Sequence, residues 1–157
     1  MSDAFEDGLR LLSRRALTRH EVEERLRARR HSEGDVAAAV GKLVAMSAID
    51  DAALARHWIE SQARAKGRGR ARALATLSAR GVDEALAAAA WSSAVSDEAI
   101  DEGEVLARAV RKRLGVPPGS ADRGRLARVY NALLSEGFGE EQVEAALAPF
   151  GFERNDR

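Results

Sequence analysis

The chain has no cysteine, which excludes a disulfide framework and thiolate metal sites. No apolar run approaches the roughly twenty residues that span a bilayer, and the acidic start "MSDAFEDGLR" lacks a signal-peptide core. The expectation is an intracellular, cytoplasmic protein. Aromatics are only 4% of residues, proline occurs three times, and β-branched runs are missing. The apolar share falls to Ala, Leu and Val, a mix that favours helix over sheet. Helices faced with Ala bury little area each, so stability has to be spread over many contacts.

Net charge is absent as well, with 25 basic against 25 acidic residues. The signs are nevertheless segregated. Basic residues outnumber acidic ones eight to three over 9–31, seven to one over 52–81 and seven to one over 108–128. Residues 82–107 hold seven acids and no base, and 1–8, 32–51 and 129–157 also lean acidic. Local fields can therefore be strong although the total is nil.

Three segments superpose: "LRARRHSEGDVAAAV" from Leu26, "LSARGVDEALAAAAW" from Leu77 and "LLSEGFGEEQVEAAL" from Leu133. Each opens on Leu, turns, and reaches Ser32, Asp83 or Gly139 at a position suited to a helix N-cap. Glu33, Glu84 and Glu140 follow, where the positive end of the helix dipole favours a carboxylate. The units recur at 51 and 56 residues, the longer step accommodating the "GVPPGSAD" connector. A supersecondary unit at this period marks an array of similar modules.

The apolar spacing inside each unit is helical: Phe5, Leu9, Leu12; Val36, Val40, Leu43; Val143, Leu147, Phe150. Thr18, followed by Glu21, reads as a capping box. These signals predict helices over 4–16, 19–29, 33–46, 51–65, 70–80, 84–94, 97–114, 122–135 and 140–149, with no strand. The fold class expected is all-α: a tandem of three helix-turn-helix-like three-helix repeats, at 1–49, 50–95 and 96–157.

The stretch "GRGRAR" invites a nucleotide-binding reading and fails it. A dinucleotide fingerprint needs a preceding strand and a small residue where Arg72 stands, and no P-loop Lys-Ser/Thr ending follows. Gly67 and Gly69 read as the turn between two helices. Around them Arg64, Lys66, Arg68, Arg70, Arg72 and Arg80 form a guanidinium-rich corner suited to phosphates or carboxylates. Arg72, Thr76 and Arg80 are expected on the helix face opposite Leu74 and Leu77.

The remaining candidates are weaker. His20, His31 and His57 have no ligand spacing, and Asp50 and Asp51 are read as a helix cap. Trp58 and Trp91 are read as anchors of the middle unit's core, not base-stacking platforms. No catalytic constellation, cofactor site or metal site is found, so a non-enzyme is expected.

At this level of detail the chain resembles the RecX regulators of the RecA recombinase. The likeness runs from Leu11 through "SQARAKGRGRARALATLSARGVDEAL" and extends in pattern through "RLARVYNALLSEGFGEEQVEAAL". It is most specific in the Asp-led helix, the Arg/Gly corner and "RGVDE". Leu54 stands where the family usually has an aromatic, "ALAAAAWSSA" is Ala-rich, and "FERNDR" is short and polar.

The resemblance implies an elongated, curved array, without chemistry of its own, lying in the groove of a RecA–single-stranded DNA filament. There it implies negative modulation of ATP hydrolysis, strand exchange and co-protease activity, the chain acting as a monomer. The side chains expected to meet the filament or its DNA are Arg25, Arg27 and Arg30; Arg64, Lys66, Arg68, Arg70, Arg72 and Arg80; and Arg123, Arg125 and Arg128. An autonomous helix-turn-helix DNA binder using the 70–80 helix, or a helical-repeat scaffold for another protein, is the alternative.

Overall fold

A computed structural model describes residues 3–154. Among the described residues the backbone forms nine α-helices and no strand. They are α1 (Ala4–Leu12), α2 (Arg19–Ala28), α3 (Glu33–Ala45), α4 (Asp51–Lys66), α5 (Arg70–Ala79), α6 (Glu84–Ser96), α7 (Glu102–Leu114), α8 (Arg123–Ser135) and α9 (Glu140–Leu147). A 3-10 turn, Ala148–Phe150, follows α9. No described helix is long and apolar enough to cross a membrane.

The caps show why these residues start helices here. Thr18 accepts from the Glu21 N–H at 3.1 Å while the Glu21 carboxylate accepts from the Thr18 N–H at 2.9 Å, completing the predicted box. Ser32 accepts from the Asp35 N–H, Asp50 from Ala53, Asp83 from Leu86, Asp101 from Glu104 and Asp122 from Arg125. Gly139 offers a bare backbone and no side-chain bond.

The repeat is just as plain where the second helices end. The N–H groups of His31, Val82 and Phe138 turn back to the carbonyls of Leu26, Leu77 and Leu133 at 3.4, 3.0 and 3.3 Å. The residue before each is left-handed: Arg30 at φ 66°, Gly81 at 80° and Gly137 at 90°. This is the Schellman end, which satisfies carbonyls the helix leaves unpaired. The three leucines are fully buried beneath it. A second matched turn joins the modules, with Ser47 (φ 58°) and Glu98 (φ 56°) left-handed before buried Ile49 and Ile100.

Two helices are shorter than their apolar spacing predicts. α1 stops at Leu12, where the Ser13 hydroxyl donates to the Arg10 carbonyl at 2.9 Å; the chain then extends so that Leu17 is buried and Thr18 can cap. α7 starts at Glu102 rather than 97, because Glu98 is left-handed and Asp101 caps the helix.

The chain divides into two compact units, 1–58 with 76–90, and 59–75 with 91–157, so α4, α5 and α6 each contribute to both. In the first unit α1, α2 and α3 enclose Leu17, Val22, Leu26, Val36, Val40, Leu43 and Ile49. Gly8 lets α1 approach α3 closely; a Cβ there would fall 2.6 Å from Leu43 Cδ1. In the second, Ile59, Ala63 and Ala73 are buried along with Leu106, Val110 and Leu114 of α7, Leu126 and Leu133 of α8, and Val143 and Leu147 of α9.

The two tryptophans differ in burial and fall in different units. Trp91 is 3% exposed, its indole N–H donating to Glu102, in the second unit; Trp58 is half-buried in the first. Of the polar tail, residues 155–157 lie outside the described residues.

Candidate functional site

The second unit holds the α4–α5 corner. α4 ends at Lys66, and Gly67 turns the chain with left-handed backbone, φ 61°. Arg68 then folds back on α4: its N–H reaches the Gln62 carbonyl at 3.4 Å and its guanidinium the Gln62 Oε1 at 2.7 Å. Gly69 meets the end of α8. Its N–H donates to the Glu136 carbonyl at 2.8 Å, and Ala71 N–H to the Gly137 carbonyl at 3.2 Å. A Cβ on Gly69 would fall 2.6 Å from the Gly137 carbonyl carbon. The glycines therefore serve a turn and a backbone-to-backbone contact, not a cradle for phosphate.

Beside this corner the last turn of α4, one face of α7 and one face of α8 border an open cleft of about 800 Å³. Its lining carries seven cationic side chains, Arg64, Lys66, Arg108, Lys112, Arg113, Arg125 and Arg128, and no acidic one. The uncharged lining is Ala65, Gly67, Ala109, Val129 and Ala132. The arrangement follows from the helices. On α7, Arg108 and Lys112 stand four residues apart and share one face, as do Arg125, Arg128 and Ala132 along α8.

Four of the seven cations are held in place by the fold. Arg108 Nη2 donates to the carbonyls of Ala63 and Arg64 at 3.0 and 2.5 Å, serving the end of α4. Arg125 Nη2 does the same for the Leu114 carbonyl, 2.5 Å away at the end of α7. Arg64 donates to the Ala99 carbonyl through Nε and Nη2 at 3.2 and 2.8 Å, and Arg113 pairs with Glu136 at 3.2 Å. Helix ends carry unpaired carbonyls and partial negative charge, so guanidinium groups settle there. A guanidinium has five N–H donors, and these contacts occupy one or two of them. Lys66, Lys112 and Arg128 are exposed and make no hydrogen bond or ion pair with a described residue. Arg128 acts at longer range on Asp122, whose carboxyl lies below its ordinary pKa, chiefly because it accepts from the Arg125 N–H.

Of the twelve expected contact residues, the cleft gathers Arg64, Lys66, Arg125 and Arg128. Arg68 and Arg70 border a separate cavity of about 610 Å³ that also holds Glu102, Glu140 and Glu141. Arg123 lines a third hollow beside Tyr130 and Phe152.

Arg72 and Arg80 are not an open ridge. Arg72 is half-buried between the Ser135 carbonyl, at 3.2 Å, and the Glu136 carboxylate, at 3.6 Å. Arg80 grips Glu21 through Nε and Nη2 at 3.1 and 3.0 Å, in the first unit. Burial works to raise the Glu21 carboxyl, yet the Arg80 and Thr18 hydrogen bonds and the charges of Arg80 and Arg25 hold it below its ordinary pKa. The supposed outer face of α5 is thus partly covered in each unit.

Arg25, Arg27 and Arg30 belong to the first unit. Arg25 donates to the Glu21 carbonyl at 3.0 Å, Arg27 pairs with Glu33 at 2.8 Å and Glu23 at 3.7 Å, and Arg30 is the exposed left-handed residue. The bond from Arg27 lowers the Glu33 carboxyl and raises the guanidinium in turn.

The residues missed are Arg108, Lys112 and Arg113. Their signal was the basic block over 108–128, of which only the α8 part was taken up.

The histidines are local. His31 Nε2 lies 2.9 Å from the buried Asp7 carboxylate, which also pairs with Arg10 and Arg29, and His20 pairs with Glu24. Among the described residues no His, Asp or Glu group could hold a metal ion.

Family comparisons fit this architecture. A family model described as the first three-helix domain of RecX matches residues 4–43, and one described as the second matches 50–90. The regulatory protein RecX of Chromohalobacter salexigens is 35% identical over 143 residues, covering 91% of this chain and 90% of its own. The chain belongs to the RecX family. The RecX protein of Halorhodospira halophila is also 35% identical, over 94% of this chain and 88% of its own. The crystal structure of RecX from Lactobacillus salivarius shares the fold, with a TM-score of 0.77 at 22% identity over 94% of each chain. A second RecX crystal structure gives 0.75 at 21% identity, over 92% of this chain and 70% of that one. The Chromohalobacter and Halorhodospira relatives and the second crystal structure are named as regulatory proteins.

Proposed function

We propose that this RecX-family chain binds RecA–single-stranded DNA filaments and negatively modulates their ATP hydrolysis, strand exchange and co-protease activity. The observation that carries the reading is the cleft of the second unit: seven cations lining it, no carboxylate in the lining, and three of the cations with no hydrogen bond or ion pair to a described residue. Keeping like charges this close costs free energy unless an anion is met there. A nucleoprotein filament presents a continuous row of such anions. The acidic blocks elsewhere in the chain limit attraction to polyanions in general, in keeping with a protein that has no net charge.

The autonomous helix-turn-helix alternative depends on α5 presenting its first residues to base edges. Here Gly69 and Ala71 donate to the backbone at the end of α8, and Arg72 is half-buried on Glu136. That end of α5 is occupied. The deciding experiment is DNA-stimulated ATP hydrolysis by RecA with rising amounts of this protein. A graded fall is expected, and hydrolysis unchanged at saturating protein would end the regulatory reading.

A further inference from the structure

The cleft has a second property besides its charge: its side chains can donate hydrogen bonds and cannot accept them. The lining consists of Arg, Lys, Gly, Ala and Val alone, with no hydroxyl, amide or carboxylate side chain. The backbone carbonyls of Ala63, Arg64 and Leu114 already accept from Arg108 and Arg125. Nor does any aromatic side chain face the cleft.

A ligand that fits such a surface brings acceptors only, in number, and asks for no stacking. A phosphodiester backbone does this: every linkage offers two anionic oxygens and no donor, and its bases can point away. An acidic peptide does not, because each residue adds a backbone N–H that would lose its water without gaining an acceptor, and an unpaired donor is costly to bury. Base readout is also disfavoured, since single strands are commonly gripped through aromatic platforms.

We infer that the cleft between the end of α4, α7 and α8 is a site for the sugar–phosphate backbone of one nucleic-acid strand, blind to base sequence. Arg64, Arg108 and Arg125, fixed on helix-end carbonyls, present their remaining N–H groups in set directions, while Lys66, Lys112 and Arg128 adapt to the phosphates. This rests on the reading of the cleft as the surface that meets the filament, and it assigns the contact to DNA rather than to an acidic lobe of the recombinase.

The test uses the full chain without recombinase. Fluorescence anisotropy would follow a labelled single-stranded oligothymidylate, an abasic oligonucleotide of equal length and a polyglutamate peptide of equal charge. The two oligonucleotides should bind alike, and the peptide should bind at least about tenfold more weakly. The variant Lys66→Ala/Lys112→Ala/Arg128→Ala should bind the oligonucleotides about tenfold more weakly, with its log–log salt slope reduced by about two, as expected for three lost single-strand phosphate contacts. These side chains make no hydrogen bond or ion pair with a described residue, so circular dichroism should match the parent, and Lys66→Arg/Lys112→Arg should bind like it. No oligonucleotide binding by the parent, an unaffected triple variant, strong dependence on the bases, or a preference for polyglutamate would each overturn the inference. Oligonucleotide binding together with unchanged RecA hydrolysis would leave the phosphate site standing and remove only the regulatory reading.

Discussion

Gly67 and Gly69 stand two residues apart at the α4–α5 turn, and only Gly67 has the left-handed backbone that favours glycine. Turn chemistry alone makes Gly67 the costlier one to replace. Packing reverses the order. A Cβ on Gly67 would meet only Ala109 Cβ, at 3.9 Å. Gly67→Ala therefore costs the left-handed penalty of about 1–2 kcal/mol, reduced by about 0.4–1 kcal/mol because the unfolded chain loses freedom.

On Gly69 the added carbon would lie 2.6 Å from the carbonyl carbon and oxygen of Gly137 and 2.7 Å from the Phe138 nitrogen. These are backbone atoms and cannot rotate away, so the segments must part by about 0.8 Å to reach ordinary contact. That movement stretches the Gly69–Glu136 and Ala71–Gly137 hydrogen bonds, 2.8 and 3.2 Å long. Each is worth about 1 kcal/mol, and forced overpacking adds about 1–3 kcal/mol. With the same unfolded-state gain, Gly69→Ala costs about 2–4 kcal/mol, against about 1 for Gly67→Ala. Urea denaturation in a Trp58→Phe background, followed by Trp91 fluorescence, reads the second unit directly. A Gly67→Ala variant as costly as Gly69→Ala, or costlier, would refute the packing argument.

Other consequences concern the first unit. Glu21→Gln should cost about 1–3 kcal/mol, since it leaves Arg80 half-buried without its carboxylate. Because the folded Glu21 pKa is lowered from 4.5, its contribution is complete above that value and is lost as pH falls through the folded one. Urea midpoints at pH 7 and pH 4 should therefore differ less in the variant than in the parent, and equal differences would contradict the pairing. Arg30→Gly should stabilise by about 0.5–1 kcal/mol, because the equivalent left-handed positions in the other two repeats already hold glycine; a loss would mean that the three turns are not equivalent. Asp7→Asn should destabilise by about 1–3 kcal/mol by weakening the hold on His31, Arg29 and Arg10, an effect that Trp58 fluorescence during unfolding should register and Trp91 should not.

Nine helices among the described residues, most of their caps and the turn after each of the three leucines could be read from the sequence because each depends on residues within a few positions of one another. The left-handed turn at Glu98 instead falls within a stretch that reads as helix. Thr18 with Glu21, the three leucines and the N-cap positions Ser32, Asp83 and Gly139 are local signals of this kind. Partners across the fold were harder to see. Nothing in "SARGVDE" says that Arg80 will close on Glu21, nor anything in "GRGRAR" that Glu136 will take Arg72. Charge density marked the α4–α5 corner as the site, but density along the chain is not density in space. Four arginines of that corner make fold contacts, Arg64 with the Ala99 carbonyl and Arg68, Arg72 and Arg80 with the side chains of Gln62, Glu136 and Glu21. The cleft's charge gathers instead where α4 ends near α7 and α8, with Arg108, Lys112 and Arg113 joining Arg64 and Lys66 from more than forty residues away.

The most direct test of the account is binding of the labelled full chain to preformed RecA–single-stranded DNA filaments at several salt concentrations, compared with its Lys66→Ala/Lys112→Ala/Arg128→Ala variant. The account predicts saturable binding by the parent that weakens with salt, and binding by the variant at least about tenfold weaker with a shallower salt dependence. Equal affinity and equal salt dependence for the two proteins would contradict it.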